Sequence, residues 1–253
     1  MSEQHLPYIL GNWKMNLDIE SALELGSACA EMANATAGNV GIGIAAPDLW
    51  LPSLAIEFSE SSLLIGAQDV SAHLEGAFTG EVSAPMLAPW CTFSLVGHSE
   101  RRQHHQESDA DANVKIGHLL ENGLTSVLCV GESAQERSAG NAESVVTAQL
   151  QGALKGHVDS VFDSLIVAYE PVWAIGSGVT PQPADVQAMA FRIRTVLSEL
   201  QGTASSTVPV LYGGSVNGQN AGPILALDDI DGALVGSASL SADAFVTIIE
   251  ALA

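Results

Sequence analysis

The fold is decided by the stretch Leu165-Ile166-Val167-Ala168-Tyr169-Glu170-Pro171-Val172-Trp173. A strand that is buried on both faces reads as a short, continuous apolar run, and Leu165 to Tyr169 is such a run. Pro171 lacks the N–H that a sheet ladder needs, so the strand is expected to end before it. Between the two stands Glu170, whose carboxylate is costly beside apolar surface unless it is paired or used. The stretch therefore predicts a buried parallel strand that carries an acidic group at its C-terminal end.

Similar apolar runs occur eight times along the chain, and longer segments with helical periodicity separate them. The predicted strands lie near Tyr8 to Asn12, Val40 to Ala45, Leu63 to Ala67, Phe93 to Gly97, Ser126 to Val130, Leu165 to Tyr169, Val208 to Tyr212 and Gly232 to Val235. Repeated strand and helix units predict an α/β protein with a parallel sheet. Periodicity alone leaves a closed barrel and a long open sheet both possible. In a barrel, functional residues gather at the C-terminal ends of several strands.

The segments between the strands carry helix signals. An apolar stripe with helical spacing predicts a core-facing helix at Val186, Met189, Ile193, Val196 and Leu200. Asn122-Gly123 is typical of a helix end, and Ser241 is typical of a helix start. The chain has no long linker and no shift in composition, so one domain over residues 1–253 is expected.

Composition narrows the functional classes. The chain has 253 residues, of which 47% are hydrophobic, enough for a large core. Its formal net charge of -21 argues against a nucleic-acid or anionic-membrane partner, and it means that any phosphate site must be built from local positive potential. The chain starts without a secretory signal and has no membrane-spanning run, and its three cysteines are widely spaced. These features favour a cytoplasmic protein.

Three chemically active residue types follow predicted strands. Lys14 follows the first strand, His98 follows the fourth and Glu170 follows the sixth. Each has an ordinary structural explanation when it is taken alone, such as an exposed loop lysine or a histidine that caps a helix. Their common position after a strand favours one shared site.

Glycines follow the last two strands, in Tyr212-Gly213-Gly214-Ser215-Val216 and in Leu234-Val235-Gly236-Ser237-Ala238. Bare backbone at these places lets N–H groups approach an anion, as in the phosphate sites of many barrels. The segment 174–181 has glycines between stiffer ends, a composition that suits a hinged lid. No dinucleotide or phosphate-loop motif is present, and His104-His105 is expected on a solvated helix face. The sequence calls for no cofactor and no metal.

Four motifs, taken in their order along the chain, closely resemble the triosephosphate isomerase family. They are Asn12-Trp13-Lys14, Gly97-His98-Ser99-Glu100-Arg101-Arg102, the stretch from Tyr169 to Gly176, and Tyr212-Gly213-Gly214-Ser215-Val216. The resemblance extends over nearly the whole chain. It implies a single-domain (β/α)8 TIM barrel and a cytoplasmic isomerase of glycolysis and gluconeogenesis. Such an enzyme interconverts dihydroxyacetone phosphate and D-glyceraldehyde 3-phosphate through an enediolate.

The resemblance also implies a role for each site residue. Glu170 is expected to be the base, His98 a neutral electrophile, Lys14 a fixed positive charge and Asn12 a polar positioner. The pairing of a glutamate base with a neutral histidine is a known pattern for this enzyme. Glu100 is expected to hold the Lys14 region. Backbone N–H groups that bind the phosphate are expected at Gly176, Ser215, Gly236 and Ser237.

The segment from Leu74 to Glu81 resembles the loop with which members of the family reach into a second subunit. The resemblance therefore implies a homodimer in which Thr79 approaches the neighbouring site. Three positions depart from the family pattern: Ser237 replaces a glycine, Val179-Thr180-Pro181 replaces Lys-Thr-Ala, and Asp69 replaces a frequent asparagine. None of the three removes a group that the chemistry needs.

Two other functions are compatible with parts of the sequence. A different phosphate-binding barrel enzyme would share the glycines after the last two strands. A catalytically silent metabolite-binding barrel would share the fold. The combination of Lys14, His98 and Glu170 favours the isomerase over both, because a binding protein has no need of an acid-base pair.

Overall fold

The computed structural model describes residues 6–157, 159–175, 181–201 and 207–252. Eight parallel strands form a closed barrel in the order of the chain. They are β1 (Tyr8–Asn12), β2 (Gly41–Ala46), β3 (Leu64–Ala67), β4 (Phe93–Val96), β5 (Thr125–Val130), β6 (Leu165–Tyr169), β7 (Val210–Tyr212) and β8 (Gly232–Val235). The (β/α)8 barrel expected from the sequence is thus confirmed, and the open sheet is excluded.

Helices connect the strands. Within the described part of the chain they are α1 (Ile19–Ala35), α2 (Leu51–Glu57), α3 (Ala84–Leu87), α4 (Ser99–His105), α5 (Asp109–Glu121), α6 (Ala134–Ser138), α7 (Ala142–Ala153), α8 (Pro183–Gln201), α9 (Ala221–Leu225) and α10 (Ala242–Glu250). Short 3-10 turns lie at Asp48–Trp50, Asp159–Ser164, Val172–Ala174 and Ser237–Leu240. No helix in the described ranges is long and apolar enough to cross a membrane.

The ring closes between the last strand and the first. In the pairing of β1 with β8, Tyr8 lies opposite Gly232 and Gly11 lies opposite Val235. Gly232 has a φ of +146°, and a Cβ at this position would lie 1.8 Å from the carbonyl oxygen of Tyr8. A glycine is therefore required at this point of the seam.

Two apolar cores flank the sheet, because successive side chains of a strand point to opposite faces. One core fills the barrel, and the other lies between the strands and the helices and includes Ile9, Val167 and Ile193. The members of the interior core alternate along the strands with those of the outer one. They are Leu10, Ala45, Phe93, Leu95, Val127, Cys129, Ile166, Ala168, Leu211 and Leu234. The packed interior leaves the two ends of the barrel as the places where a ligand can bind.

Most local predictions agree with the structure. Three strands have the predicted bounds, and the others begin or end within two residues of them. Ser241 caps α10 with its side chain, and α5 ends at Glu121, immediately before Asn122. One prediction is wrong: Leu200 is exposed although it belongs to the apolar stripe of α8. It lies in the last turn of the helix, where fewer neighbouring side chains cover a residue.

Candidate active site

The C-terminal ends of the strands surround one cavity of about 470 Å³. The structure brings almost all of the predicted site residues to its wall, although they come from distant parts of the sequence. The predicted residues that line the cavity are Asn12, Lys14, His98, Glu100, Glu170, Ser215, Gly236 and Ser237. Side chains contributed by several βα loops at this end are the usual arrangement of active sites in such barrels.

Glu170 lies directly after β6 and is buried. Its Oε1 lies 3.0 Å from Nε2 of His98, and its Oε2 accepts a hydrogen bond of 2.8 Å from the backbone N–H of Ser99. Its backbone N–H donates to the carbonyl oxygen of Val130 at 2.7 Å. The carboxylate is thus paired by two donors, as a buried charge requires.

His98 is the N-cap residue of α4 and is also buried. Its Nδ1 accepts a hydrogen bond of 3.2 Å from the backbone N–H of Glu100, so Nδ1 carries no proton. The proton of the neutral ring is therefore assigned to Nε2, which faces Glu170. Burial lowers the pKa of His98, but the carboxylates of Glu170 and Glu100 together raise it by more, so that it lies above its ordinary value of 6.5.

Removal of the Glu170 charge is expected to lower the pKa of His98. In Glu170→Gln the desolvation of the imidazole remains, whereas the carboxylate that raises the pKa most is lost. Titration of the ring protons or nitrogens by NMR would measure the change. A His98 pKa that is equal or higher in Glu170→Gln would contradict the electrostatic coupling of the pair.

Lys14 adopts a backbone conformation that is rare for a residue with a side chain, with a φ of +52°. Two side chains hold this conformation: the backbone N–H of Lys14 donates to Oδ1 of Asn12 at 3.0 Å, and Nε2 of Gln68 donates to the carbonyl oxygen of Lys14 at 2.8 Å. Strained backbone of this kind persists where the surroundings fix it and is concentrated at functional sites. The structure therefore fixes the place from which the ammonium group enters the cavity.

The ammonium group of Lys14 contacts Glu100, whose Oε1 lies 2.5 Å from Nζ. Burial alone would raise the pKa of Glu100, but the hydrogen bond and the charge of Lys14 lower it below the ordinary value. Lys14 is the only lysine or arginine among the described residues that line the cavity. An anionic ligand would therefore depend on this single cation and on backbone N–H groups.

The loops after β7 and β8 form the side of the cavity near Lys14. A Cβ at Gly236 would lie 3.7 Å from Cε of Lys14, which places the bare backbone of this glycine beside the lysine side chain. A Cβ at Gly213 would lie 2.9 Å from Cγ of Glu170, closer than such contacts normally allow. Ser237 begins the 3-10 turn Ser237–Leu240 and is exposed. The small residues on this side leave room for a ligand and for the Glu170 side chain.

Two further predictions concern the lid segment and Thr79. Gly176 and residues 177–180 of the predicted lid lie outside the described residues. Thr79 does not line the cavity; together with Asp48 and Arg101 it lines a separate depression. Its predicted role, which concerns the site of a second subunit, is thus compatible with its position but is not tested by it.

Sequence reasoning missed several contacts of the site. Gln68, which holds Lys14, belongs to the motif Gly66-Ala67-Gln68-Asp69, and this motif was the available signal. The N–H of Ser99 carries no signal in the sequence, because any residue could donate it. Trp173 donates from Nε1 to Oε1 of the buried Glu132 at 2.8 Å, a contact between residues 41 positions apart.

In the described ranges, no group of three or more His, Cys, Asp or Glu side chains is arranged to hold a metal ion. His104 and His105 are exposed on α4, as predicted.

Comparison with known proteins identifies the family. The family model described as triosephosphate isomerase matches residues 7–252. The chain is 42% identical over 246 residues to the triosephosphate isomerase of Escherichia coli O1:K1 / APEC, with 97% of this chain and 96% of that protein covered. The same values hold for the triosephosphate isomerase of Shigella boydii serotype 18 (strain CDC 3083-94 / BS512). A crystal structure of triosephosphate isomerase from Bartonella henselae superposes with a TM-score of 0.88 at 34% identity, over 97% of this chain and 98% of that chain. Because the match covers nearly the full length, this chain is an isomerase and belongs to the triosephosphate isomerase family.

Proposed function

We propose that the protein interconverts dihydroxyacetone phosphate and D-glyceraldehyde 3-phosphate, as a step of glycolysis and gluconeogenesis. The observation that carries this proposal is the convergence of Lys14, His98 and Glu170 on one cavity. The reaction moves a proton between adjacent carbons, so it needs a base at carbon, a hydrogen-bond donor at the carbonyl oxygen and a positive charge near the enediolate. The three side chains supply these groups.

Glu170 acts as the base in this proposal. In the ligand-free geometry its two oxygens are engaged by His98 and by the N–H of Ser99. The carboxylate must leave these donors and turn toward the substrate carbon before it can take a proton. The absence of a side chain at Gly213, against which Cγ of Glu170 packs, gives it space to turn.

His98 acts as the neutral donor to the substrate oxygens. Its Nδ1 is engaged by the backbone N–H of Glu100, which leaves Nε2–H free to donate once Glu170 has turned away. The departure of Glu170 also removes the contact that raises the pKa of His98 most, so the neutral form of the ring is favoured during turnover. Asn12 and Gln68 act as positioners, because they hold the backbone of Lys14.

The phosphate is proposed to bind at the backbone N–H groups of Ser215, Gly236, Ser237 and Gly176, beside the ammonium group of Lys14. Glu100 keeps that ammonium group in place through its contact with Nζ. Closure of the segment 174–181 over the substrate would exclude water and prevent loss of phosphate from the enediolate. Such a site needs no metal and no cofactor.

A coupled assay with D-glyceraldehyde 3-phosphate, without added metal or nucleotide, tests the proposal. We expect efficient formation of dihydroxyacetone phosphate. Absence of turnover by the folded protein would favour a silent metabolite-binding barrel, and turnover of a different phosphorylated substrate would favour another barrel enzyme.

We further propose that the chain forms a homodimer. Large apolar side chains are exposed on the segments that follow the first three strands, which are neighbours in the barrel. They include Met15, Leu49, Phe78 and Met86, and Met15 is 95% exposed. Apolar groups exposed on neighbouring segments are typical of an interface with another protein. In the segment from Leu74 to Glu81, which is predicted to reach into the second subunit, the ring of Phe78 stacks on that of His73, the residue before the segment, at 3.6 Å between centroids, and this contact stiffens the segment.

Met86→Glu is expected to dissociate the dimer, because a charge would be buried at an apolar interface. Phe191→Glu is the matched control, since Phe191 is 64% exposed and Met86 is 61% exposed, yet Phe191 lies on α8, which follows β6 and not one of the first three strands. Analytical ultracentrifugation should find a dimer for the wild type and for Phe191→Glu, and a monomer for Met86→Glu. A wild type that sediments as a monomer would contradict the proposed assembly.

We also propose that residues 1–253 act as one domain in the cytoplasm. The pairing of β1 with β8 joins the first and the last strand in one sheet. Cys29, Cys91 and Cys129 are free and buried, and burial raises the pKa of Cys29 and of Cys91 to about 12. Unpaired thiols of this kind suit a reducing compartment.

A further inference from the structure

Arg137, on α6, contacts residues on both sides of the segment 174–181. Its Nη2 lies 2.9 Å from Oδ1 of Asp185, in the first turn of α8. Its Cζ lies 4.5 Å from the ring centroid of Trp173, which precedes the segment. One side chain thus joins the turn after β6 to the start of α8.

The same guanidinium group faces a buried carboxylate. Glu132 is fully buried, and its Oε1 accepts hydrogen bonds from Nε1 of Trp173 at 2.8 Å and from the hydroxyl group of Tyr169 at 3.2 Å. Nη1 of Arg137 lies 3.3 Å from the same oxygen. A buried carboxylate is costly without a cation nearby, so Arg137 supports the group that holds the indole of Trp173.

An arginine is suited to these three contacts, and a lysine is not. The planar guanidinium group presents separate N–H donors to Glu132 and to Asp185 while its face covers the ring of Trp173. The ammonium group of a lysine is a point charge and cannot keep both carboxylates and the stacking contact in one geometry.

The contacts lie close to the proposed base. Trp173 belongs to the 3-10 turn Val172–Ala174, which starts two residues after Glu170. Tyr169, which also donates to Glu132, is the last residue of β6 and immediately precedes Glu170. The residues on both sides of Glu170 are therefore attached to the cluster of Glu132, Trp173 and Arg137.

We propose that Arg137 is a positioning residue for the isomerisation: it fixes Trp173 against Glu132 and at the same time holds the start of α8. It touches neither substrate nor reacting atoms. It acts by keeping the turn after Glu170 and the start of α8 in a fixed relative position. This inference rests on the proposed function, since the reaction is what requires Glu170 to be placed accurately.

Arg137→Lys tests the inference, because it keeps the charge and removes the planar fork. We expect kcat to fall by about 10-fold with a rise in KM, because the turn that contains Trp173 lies between Glu170 and Ile175, which both line the cavity. The fluorescence of Trp173 should change as well. Arg192→Lys is the matched control: the side chain of Arg192 is 29% exposed and that of Arg137 is 31% exposed, and Arg192 contacts Thr147 and Glu199 away from the cavity. Its kinetic constants should equal those of the wild type.

Asp185→Asn separates the two sides of the contact. It keeps the pairing of Arg137 with Glu132 and weakens the contact with α8, so kcat is expected to fall less than in Arg137→Lys. In the double variant Asp185→Asn and Arg137→Lys, the fold loss of kcat should be less than the product of the two single losses. A purely structural role would lower the melting temperature of Arg137→Lys and leave kcat and KM at 25 °C unchanged, and that result would overturn the inference. If the wild type does not turn over triose phosphates, the proposed function fails first; a changed Trp173 fluorescence in Arg137→Lys would still support the positioning of the indole.

Discussion

Glu170→Asp is expected to lower kcat by on the order of 10²-fold or more, because the rate depends steeply on the placement of reacting groups. The substitution keeps the carboxylate and withdraws it by about one methylene from the substrate carbon. The backbone of residue 170 stays fixed, since its N–H donates to Val130 and Tyr169 is held in β6. A movement of the backbone therefore cannot bring the shorter side chain back to the substrate carbon. Steady-state kinetics in both directions would measure the change.

The control for this substitution is Glu143→Asp, which shortens an exposed glutamate on α7 by the same amount. It should leave kcat and KM unchanged. The KM of Glu170→Asp should change far less than kcat, because the substitution leaves the proposed phosphate contacts in place. A kcat for Glu170→Asp equal to that of the wild type would contradict the assignment of Glu170 as the base.

Lys14→Met is expected to lower kcat by on the order of 10²- to 10³-fold, the usual cost of losing one group that stabilises developing negative charge. KM should rise as well, since Lys14 is the only lysine or arginine among the described residues of the cavity wall. Its loss would leave Glu100 and Glu170 facing an anionic substrate in a chain whose formal net charge is already -21. Methionine preserves the apolar stem, so the effect reports the charge.

Lys155→Met serves as the control for Lys14→Met, because Lys155 is exposed and does not line the cavity. The two variants change the net charge equally and differ only in where the charge is removed. Full activity of Lys14→Met would show that backbone N–H groups suffice for the phosphate and would refute the role of the ammonium group.

The strands and helices could be predicted from the sequence because their determinants are local, whereas the closed barrel was implied by the resemblance to a known family. Apolar runs such as Leu165 to Tyr169 specify strands by composition alone, and the observed strand β6 has these bounds. The gathering of Lys14, His98 and Glu170 follows from topology, since parallel strands in a barrel end at the same rim. Knowledge of the strand order therefore predicts which side chains meet, without any information on their contacts.

The finer features depend on contacts between distant residues, which the sequence does not encode locally. The φ of Lys14 is maintained by Gln68, 54 residues away, and the state of the His98 ring depends on Glu170. Asp69 is a further example. The carboxylate that replaces a frequent asparagine contacts Nζ of Lys115 at 2.6 Å and Nη2 of Arg101 at 2.8 Å, two ion pairs that the replacement alone did not suggest. The exposure of Leu200 shows that a correct periodic pattern does not specify at which residue of the helix the buried stripe ends.

The glycine at the seam has a consequence for biosynthesis. Gly232 begins β8, and this strand satisfies the open edges of both β7 and β1. Until the ribosome has released β8, the nascent chain presents two strand edges whose N–H and C=O groups lack partners, and such edges pair readily with other chains. Any larger residue at position 232 would prolong this exposed state by obstructing the approach to Tyr8. Such variants should accumulate as insoluble aggregates during expression, even though position 232 does not line the cavity of the candidate active site.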